Sequence, residues 1–351
     1  MKSLNSYRDK LFNYKKSCIE MKGICGLGNL GNSCYINATL QILSQIDELN
    51  DYLLEIDQSM HNIPDTVVVL EWTGLVKMIQ ENHCSILPHR FIENIRMISS
   101  KKNRPEFSSN EQNDSVEFFE YMMECIHNSL NLLDHSVTLQ QSGCLQVDNY
   151  FKKMMETDCS IVSTLFVGCM LNQYINPITK KVEFYKLEHN HKIELSIPEK
   201  KDRERDKEKC LTLYDCFIET FKEDSLHGEN AWYDETAKQK KNVLKRCALA
   251  YTPSILCLHL KRWRHNLSKH RIKIVSPFLL DLTPFTIYKE KQSYELFGII
   301  NHEGGIKGGH YYSYILREKQ WFSMNDQIVR PISSDEVIHE SNYCLFYRKI
   351  K

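Results

Sequence analysis

Three short segments hold residue types whose setting suits nucleophilic chemistry. Cys34 follows a Gly/Asn-rich stretch, Gly26-Leu27-Gly28-Asn29-Leu30-Gly31-Asn32-Ser33. Beyond it Ile36, Leu40 and Leu43 share one helical face, with Ile46 close by. Asn32 or Ser33 can serve as N-cap, so the pattern predicts a helix whose first turn contains Cys34. Free N–H groups and the positive end of a helix dipole favour a cysteine's thiolate form. The plainer alternative is a packed cysteine that happens to open a helix. The second segment is Gly304-Gly305-Ile306-Lys307-Gly308-Gly309-His310-Tyr311-Tyr312-Ser313-Tyr314. A histidine that opens a strand after a glycine-rich loop is placed to reach into a cleft; alone, it could equally be a turn residue among 14 histidines. The third is Trp321-Phe322-Ser323-Met324-Asn325-Asp326. An antiparallel pairing of these strands would bring Asn325 or Asp326 beside the imidazole. Accepting from one ring nitrogen there fixes the tautomer while the other nitrogen faces sulfur. An ordinary polar turn is the competing reading.

The elements that must position these groups follow from periodicity. Residues 1 to about 20 read as a polar, helix-prone lead-in. From about 64 to 135 the pattern is helical, clearest at Asp114–Leu133, where Val116, Phe119, Met123, Ile126, Leu130 and Leu133 form a stripe. Residues 159–250 alternate short strand-like runs with polar stretches and include the unbroken charge run Glu199–Lys209, which predicts a solvated loop. From Ser254 the texture is β: Ile255–Leu260, Tyr294–Asn301, His310–Leu316, Trp321–Met324 and Tyr343–Tyr347. Helices first and strands last predict an α+β fold, and there is no internal repeat.

Composition narrows the function classes. The 351 residues are 42% hydrophobic, enough for a large core, and Lys+Arg and Asp+Glu both total 45. A balanced chain has no global electrostatic pull toward nucleic acid or an anionic membrane. Met1–Ser17 is broken by charges, so it lacks the apolar core of a secretory signal, and no run approaches a membrane span. The 13 cysteines contain no C-x-x-C pair and show no small-domain disulfide rhythm. The expectation is a protein of a reducing intracellular compartment, cytoplasmic or nuclear, with most thiols acting as buried hydrophobes.

Taken in order, the segments match one family. Gly26 through Asn37 closely resembles the cysteine box of the ubiquitin-specific proteases, and Gly308-Gly309-His310-Tyr311-Tyr312-Ser313-Tyr314 resembles their histidine box. Asn113-Asp114-Ser115-Val116-Glu117-Phe118-Phe119 resembles the family's Gln-Asp-Ala-x-Glu-Phe-Leu helix, with Asn where Gln is usual. Leu258-His259-Leu260-Lys261-Arg262-Trp263 and Tyr343-Cys344-Leu345-Phe346-Tyr347 match two of its strands. The resemblance covers about Lys22 to Arg348. It implies a papain-like α+β cysteine peptidase with thumb, palm and β-rich fingers subdomains. The lead-in would occupy 1–21 and the catalytic domain 22–349, divided into thumb (about 22–158), fingers insertion (about 159–250) and palm (about 251–349).

The resemblance also implies roles. Cys34 would be the nucleophile, His310 the base and Asn325 the orienting residue, with Asp326 assisting. Asn29, five residues before Cys34, would donate to the oxyanion. Asp114 and Glu117 would meet the basic tail of ubiquitin, His302 and Tyr311 would line the cleft, and Gly308 and Gly309 would let ubiquitin's Gly-Gly end thread past His310. The implied reaction is hydrolysis after ubiquitin's C-terminal glycine through a Cys34 thioester, by a monomer acting on ubiquitin or ubiquitinated proteins without a cofactor. A silent ubiquitin-binding module and a hydrolase for another ubiquitin-like modifier are the alternatives; intact Cys34, His310, Asn325 and Asn29 argue against the former. One departure matters. Many members carry two C-x-x-C pairs that hold zinc in the fingers, but here the corresponding places lie near Tyr174 and Pro177 and from Trp232 to Ala237, with no cysteine. His189, His191 and His227 lie nearby without paired spacing, so no metal is expected. Phe184, Ile193, Leu195 and Leu213 are then candidates for a small fingers core.

Overall fold

The computed structural model describes residues 22–56, 60–81, 85–131, 144–199, 210–305 and 308–350. The lead-in at 1–21, most of the charge run (200–209) and Leu133 lie outside the described residues. The first stretch holds β1 (Gly26–Leu27), α1 (Cys34–Leu43), α2 (Asp47–Glu55), α3 (Pro64–Glu81), β2 (Ser85–Ile86), α4 (His89–Lys101), α5 (Pro105–Ser108) and α6 (Ser115–Leu130). Next come α7 (Leu145–Met155), α8 (Ile161–Phe166), β3 (Gly168–Ile175), β4 (Val182–Asn190), β5 (Ile193–Leu195), α9 (Leu213–Phe221), β6 (Asp224–Leu226), β7 (Trp232–Asp234), β8 (Gln239–Lys241), β9 (Val243–Tyr251), β10 (Ile255–Leu260) and β11 (Leu279–Asp281). The chain closes with β12 (Ser293–Gly305), β13 (Gly308–Arg317), β14 (Gln320–Asn325), β15 (Ile328–Ile332), α10 (Ser334–Val337) and β16 (Asn342–Lys349). Two compact units result, Met1–Leu130 with Gly298–Val337, and Asn131–Phe297 with Ile338–Lys351.

In the first unit α1 is the structural centre. All ten of its residues are buried, whereas the sequence pattern predicts a single apolar face. The difference has a packing cause: α6 and β13 both contact α1, so it has no solvent side. Helix α6 buries Val116, Phe119, Met123, Ile126 and Leu130 as the stripe predicts. The Asp114 carboxylate caps it, accepting from the Val116 N–H at 2.7 Å. Lys102, after α4, ties the helices together by pairing with Asp65 at 2.6 Å and Glu124 at 2.7 Å. Strands β12 to β15 pair antiparallel in sequence order within this unit. The β13–β14 turn is a two-residue loop, Glu318-Lys319, with φ of 47° and 68°. Strand β15 gives little sequence signal, because four of its five residues are at least partly exposed and one is Pro331.

In the second unit β4-β3-β9-β6 form one antiparallel sheet, β7 and β8 a hairpin, and β16 pairs with β10, which pairs in parallel with β5. A reciprocal cap opens α9: the Thr212 hydroxyl accepts from Asp215 N–H at 3.2 Å, and the Asp215 carboxylate accepts from Thr212 N–H at 2.8 Å. The expected fingers core is corrected. Ile193 and Leu195 lie on β5 beside β10, and Leu213 is buried in α9. Phe184 stays 45% exposed on β4, an edge strand whose residues are mostly exposed. Its ring packs sideways instead: Phe184 and Tyr174 each stack on Trp232, at 5.6 and 5.4 Å between centroids. Tyr174 and Trp232 stand at the two places where the resemblance noted above would put thiolate pairs. Among the described residues no group of three or more His, Cys, Asp or Glu is placed to hold a metal ion. His189 hydrogen-bonds the Tyr150 hydroxyl at 2.8 Å.

Candidate active site

Cys34 is the first residue of α1, buried at 3% exposure, with Ser33 as N-cap. Ser33 makes no side-chain cap. Its hydroxyl accepts from Leu30 N–H at 2.9 Å and donates to Asn29 Oδ1 at 3.2 Å. Asn29 Oδ1 also accepts from the backbone N–H groups of Gly31 at 3.0 Å and Ser33 at 3.3 Å. One side-chain oxygen thus folds the loop before the cysteine. The first intrahelical bond runs from Asn37 N–H to Ser33 C=O at 2.9 Å, so the helix leaves the earlier N–H groups, Cys34's included, without an internal acceptor.

His310 is the third residue of β13, because the flanking glycines are themselves strand residues: Gly304 pairs with Gly309, and Gly305 with Gly308. Its Nε2–H donates to Asn325 Oδ1 at 2.7 Å. The other ring nitrogen, Nδ1, is the one not bonded to Asn325. His310 is pushed up to about 9, chiefly by the Cys34 side chain; the Asn325 bond and the charges of Cys34 and Asp326 add to it, and burial opposes it. Of the two candidates for the orienting role, the β13–β14 pairing delivers Asn325.

Asp326 is turned elsewhere. It occupies a two-residue β14–β15 turn with φ of 50°, a conformation aspartate tolerates better than most residues. Its carboxylate accepts from Asn29 Nδ2 at 3.0 Å and from Asn37 Nδ2 at 2.8 Å. The second Asn29 Nδ2 hydrogen has no partner among the described residues. Strand β1 is pinned to the same turn, with Leu27 N–H donating to Asp326 C=O at 2.9 Å. Only glycine fits at position 26, since a Cβ there would sit 2.5 Å from the Gln327 carbonyl oxygen.

The residues expected on the substrate side divide. Glu117 is exposed near the start of α6. Asp114 is half-buried and committed to its cap. His302 is 4% exposed and stacks on Tyr311 with centroids 4.5 Å apart, so both rings are packed within the fold and not presented to solvent. Burial, the leading cause, drives the Tyr311 hydroxyl well above its usual range. Gly309 makes room for the histidine: a Cβ there would lie 2.2 Å from His302 Nε2. Gly308 is exposed. Sequence reasoning missed Asn37 and Gln112. Asn37 is one of three buried polar side chains on α1, with Thr39 and Gln41, so nothing in the sequence singles it out. Gln112 gave no signal either.

The family model described as "Ubiquitin carboxyl-terminal hydrolase" matches residues 25–347. The chain belongs to the ubiquitin carboxyl-terminal hydrolase family. Ubiquitin carboxyl-terminal hydrolase 2 of Homo sapiens is 29% identical to it, over 93% of this chain and 55% of that protein. Ubiquitin carboxyl-terminal hydrolase 4 of Candida glabrata is 27% identical, over 93% and 41%. The chain spans 39–55% of the length of the curated relatives it matches. A solved structure of the SAGA DUB module Ubp8/Sgf11/Sus1/Sgf73 bound to monoubiquitin superposes with a TM-score of 0.73 over 100% of this chain and 76% of the matched one, at 22% identity. That likeness supports the mixed α+β, papain-like hydrolase fold. Cys34, His310, Asn325, Asn29 and Asp326 all fall within the stretch matched by the hydrolase family model. No described helix is long and apolar enough to cross a membrane.

Proposed function

We propose that this chain is a deubiquitinating thiol hydrolase that cleaves the peptide or isopeptide bond after the C-terminal glycine of ubiquitin. The observation that carries the reading is the relay Cys34–His310–Asn325, whose last link is the 2.7 Å bond from His310 Nε2 to Asn325 Oδ1. In the proposed reaction the Cys34 proton rests on His310 Nδ1, since the raised pKa of His310 keeps the ring protonated at neutral pH, and the thiolate Sγ attacks the glycine carbonyl carbon as the C=O electron pair moves to oxygen. Asn325 holds the ring so that Nδ1, not Nε2, faces sulfur. The imidazolium then gives the proton to the departing amine as the C–N bond breaks, leaving a thioester on Cys34. Water, deprotonated by His310, attacks the thioester, and the C–S bond breaks to return the thiol and release the glycine carboxylic acid.

The tetrahedral oxyanion would meet the Cys34 N–H at the helix start and the uncommitted Asn29 Nδ2 hydrogen, with Asp326 fixing the Asn29 amide. Glu117, exposed near the start of α6, would meet ubiquitin's cationic tail. The same proposal takes the catalyst to be a monomer, acting in a reducing cytoplasmic or nuclear compartment that keeps its thiol free. The thumb, fingers and palm division at about 22–158, 159–250 and 251–349 belongs to the same proposal.

Cleavage of a ubiquitin C-terminal fusion tests it. Cys34→Ala should abolish cleavage while ubiquitin binding survives, because affinity does not depend on the thiol. Loss of both together would make Cys34 a packing residue and remove the reading's foundation.

A further inference from the structure

Gly309, the residue before His310, hydrogen-bonds a side chain through both of its backbone groups. Its N–H donates to Gln112 Oε1 at 2.9 Å, and its C=O accepts from Gln112 Nε2 at 3.0 Å. Gly309 faces Gly304 across the β12–β13 hairpin, while β14 pairs with β13 only from Ser313 onward. The Gln112 amide therefore sits where one further peptide unit would extend the ladder along β13. The same Nε2 lies 3.4 Å from Asn32 Oδ1, and Asn32 Nδ2 donates to Asn110 C=O at 2.9 Å. Three segments meet at this amide: the loop two residues before Cys34, the loop before α6, and the strand one residue before His310.

We propose that Gln112 is a positioning residue that fixes the separation of nucleophile and base, by tying the Cys34 loop to the His310 strand. It touches neither reacting atom. A side-chain amide suits the task because it offers a donor and an acceptor in one plane, as a peptide unit does. A hydrocarbon of the same length offers neither. The glycines at 304, 305, 308 and 309 leave this end of the hairpin with few side-chain contacts of its own, so an external tie has the most to add there. The inference rests on the proposed roles of Cys34 and His310.

The test is the pH profile of kcat/KM on a fluorogenic ubiquitin C-terminal amide, for wild type, Gln112→Met and Asn32→Gly. The titratable groups around His310 are Cys34 from α1, Asp326 acting by its charge from the β14–β15 turn, Glu303 across the hairpin, and Tyr312 on its own strand, with neutral Asn325 on Nε2; neither variant alters them. With the tie cut, the imidazole loses its fixed approach to sulfur. The alkaline limb should then fall from near 9 toward the roughly 6.5 of a free imidazole. The rate constant kcat should drop by up to about 100-fold, the cost of a 1 Å misplacement, with KM unchanged. Asn32→Gly keeps the left-handed backbone at that position (φ 53°) and should move the limb in the same direction, by less. Gln112 is exposed, so Gln112→Met should melt with the wild type. An unmoved limb, or a variant faster than wild type because the amide had been obstructing substrate, overturns the inference. His310→Ala separates it from the reading beneath: an active His310→Ala removes the assigned base, whereas an inactive one beside an unmoved Gln112→Met limb sinks this inference alone.

Discussion

At the scale of single residues, His310 sets the pH behaviour. Its folded pKa of about 9 lies above the unfolded value near 6.5, so between those limits the native state holds more protons than the unfolded chain. The stability this contributes is complete below about 6.5 and is lost as pH rises through about 9. Removing the Asn325 bond takes away one of the groups holding the proton. Asn325→Ala should therefore shift the alkaline limb of kcat/KM downward and cut kcat, read from initial rates across pH 6 to 10. Asp326 is no substitute for Asn325, because its carboxylate is held by Asn29 and Asn37. Asp326→Asn should instead lower kcat chiefly by releasing the Asn29 amide, at unchanged KM, with a smaller shift of the limb. If Asn325→Ala left both rate and limb intact, the relay would not include Asn325. Spacing alone left Asn325 and Asp326 both open for the orienting role, and the resemblance assigned it to Asn325 with Asp326 assisting. The structure separates them by their bonds: Asn325 Oδ1 holds His310 Nε2, whereas the Asp326 carboxylate is taken by Asn29 and Asn37.

At the scale of elements, those defined by local chemistry were legible and those defined by neighbours were not. Strand β10 matches its apolar run at both ends, and α6 begins where Asp114 can cap it. The full burial of α1 was hidden, because it depends on what lies against the helix and not on the helix's own period. The aromatic stack of Tyr174, Phe184 and Trp232 was hidden for the same reason: Trp232, on β7, comes from a part of the chain well beyond the consecutive strands β3 and β4 that carry the other two rings. Each such ring pair adds about 0.5–1.5 kcal/mol beyond burial. Trp232→Ala, which breaks two of them, should cost this region roughly 1–3 kcal/mol. Hydrogen exchange should then quicken in β3 and β4 but not in β13. Chelator should leave the melting temperature unchanged, since rings and not thiolates join these strands. Equal exchange in Trp232→Ala and wild type would show that the stack holds nothing together.

At the scale of the whole molecule, the chain carries a complete candidate site but only 39–55% of the length of its curated relatives. Ordered motifs made the family legible from one sequence. The internal geometry of the site was legible only in part, because hydrogen bonds from Gln112 to Gly309 or from Asn37 to Asp326 leave no spacing rule in the chain. Under the proposed function, recognition of ubiquitin's charged tail belongs to this scale. Asp114 is a poor probe of it, since its loss also removes the α6 cap, worth about 1 kcal/mol. Glu117→Gln is the cleaner change. It should weaken ubiquitin binding by about 0.2–1 kcal/mol, the range of exposed charge pairs, and more at low salt than at high. A salt-independent loss would assign Glu117 to packing. The central claim, that Cys34 is the nucleophile acting on the end of ubiquitin, is tested most directly by intact mass after incubation with ubiquitin bearing a C-terminal electrophile. The account predicts one ubiquitin added per chain, mapped to Cys34, absent in Cys34→Ala and slowed in His310→Ala. No adduct, or an adduct on another of the 13 cysteines, would contradict it.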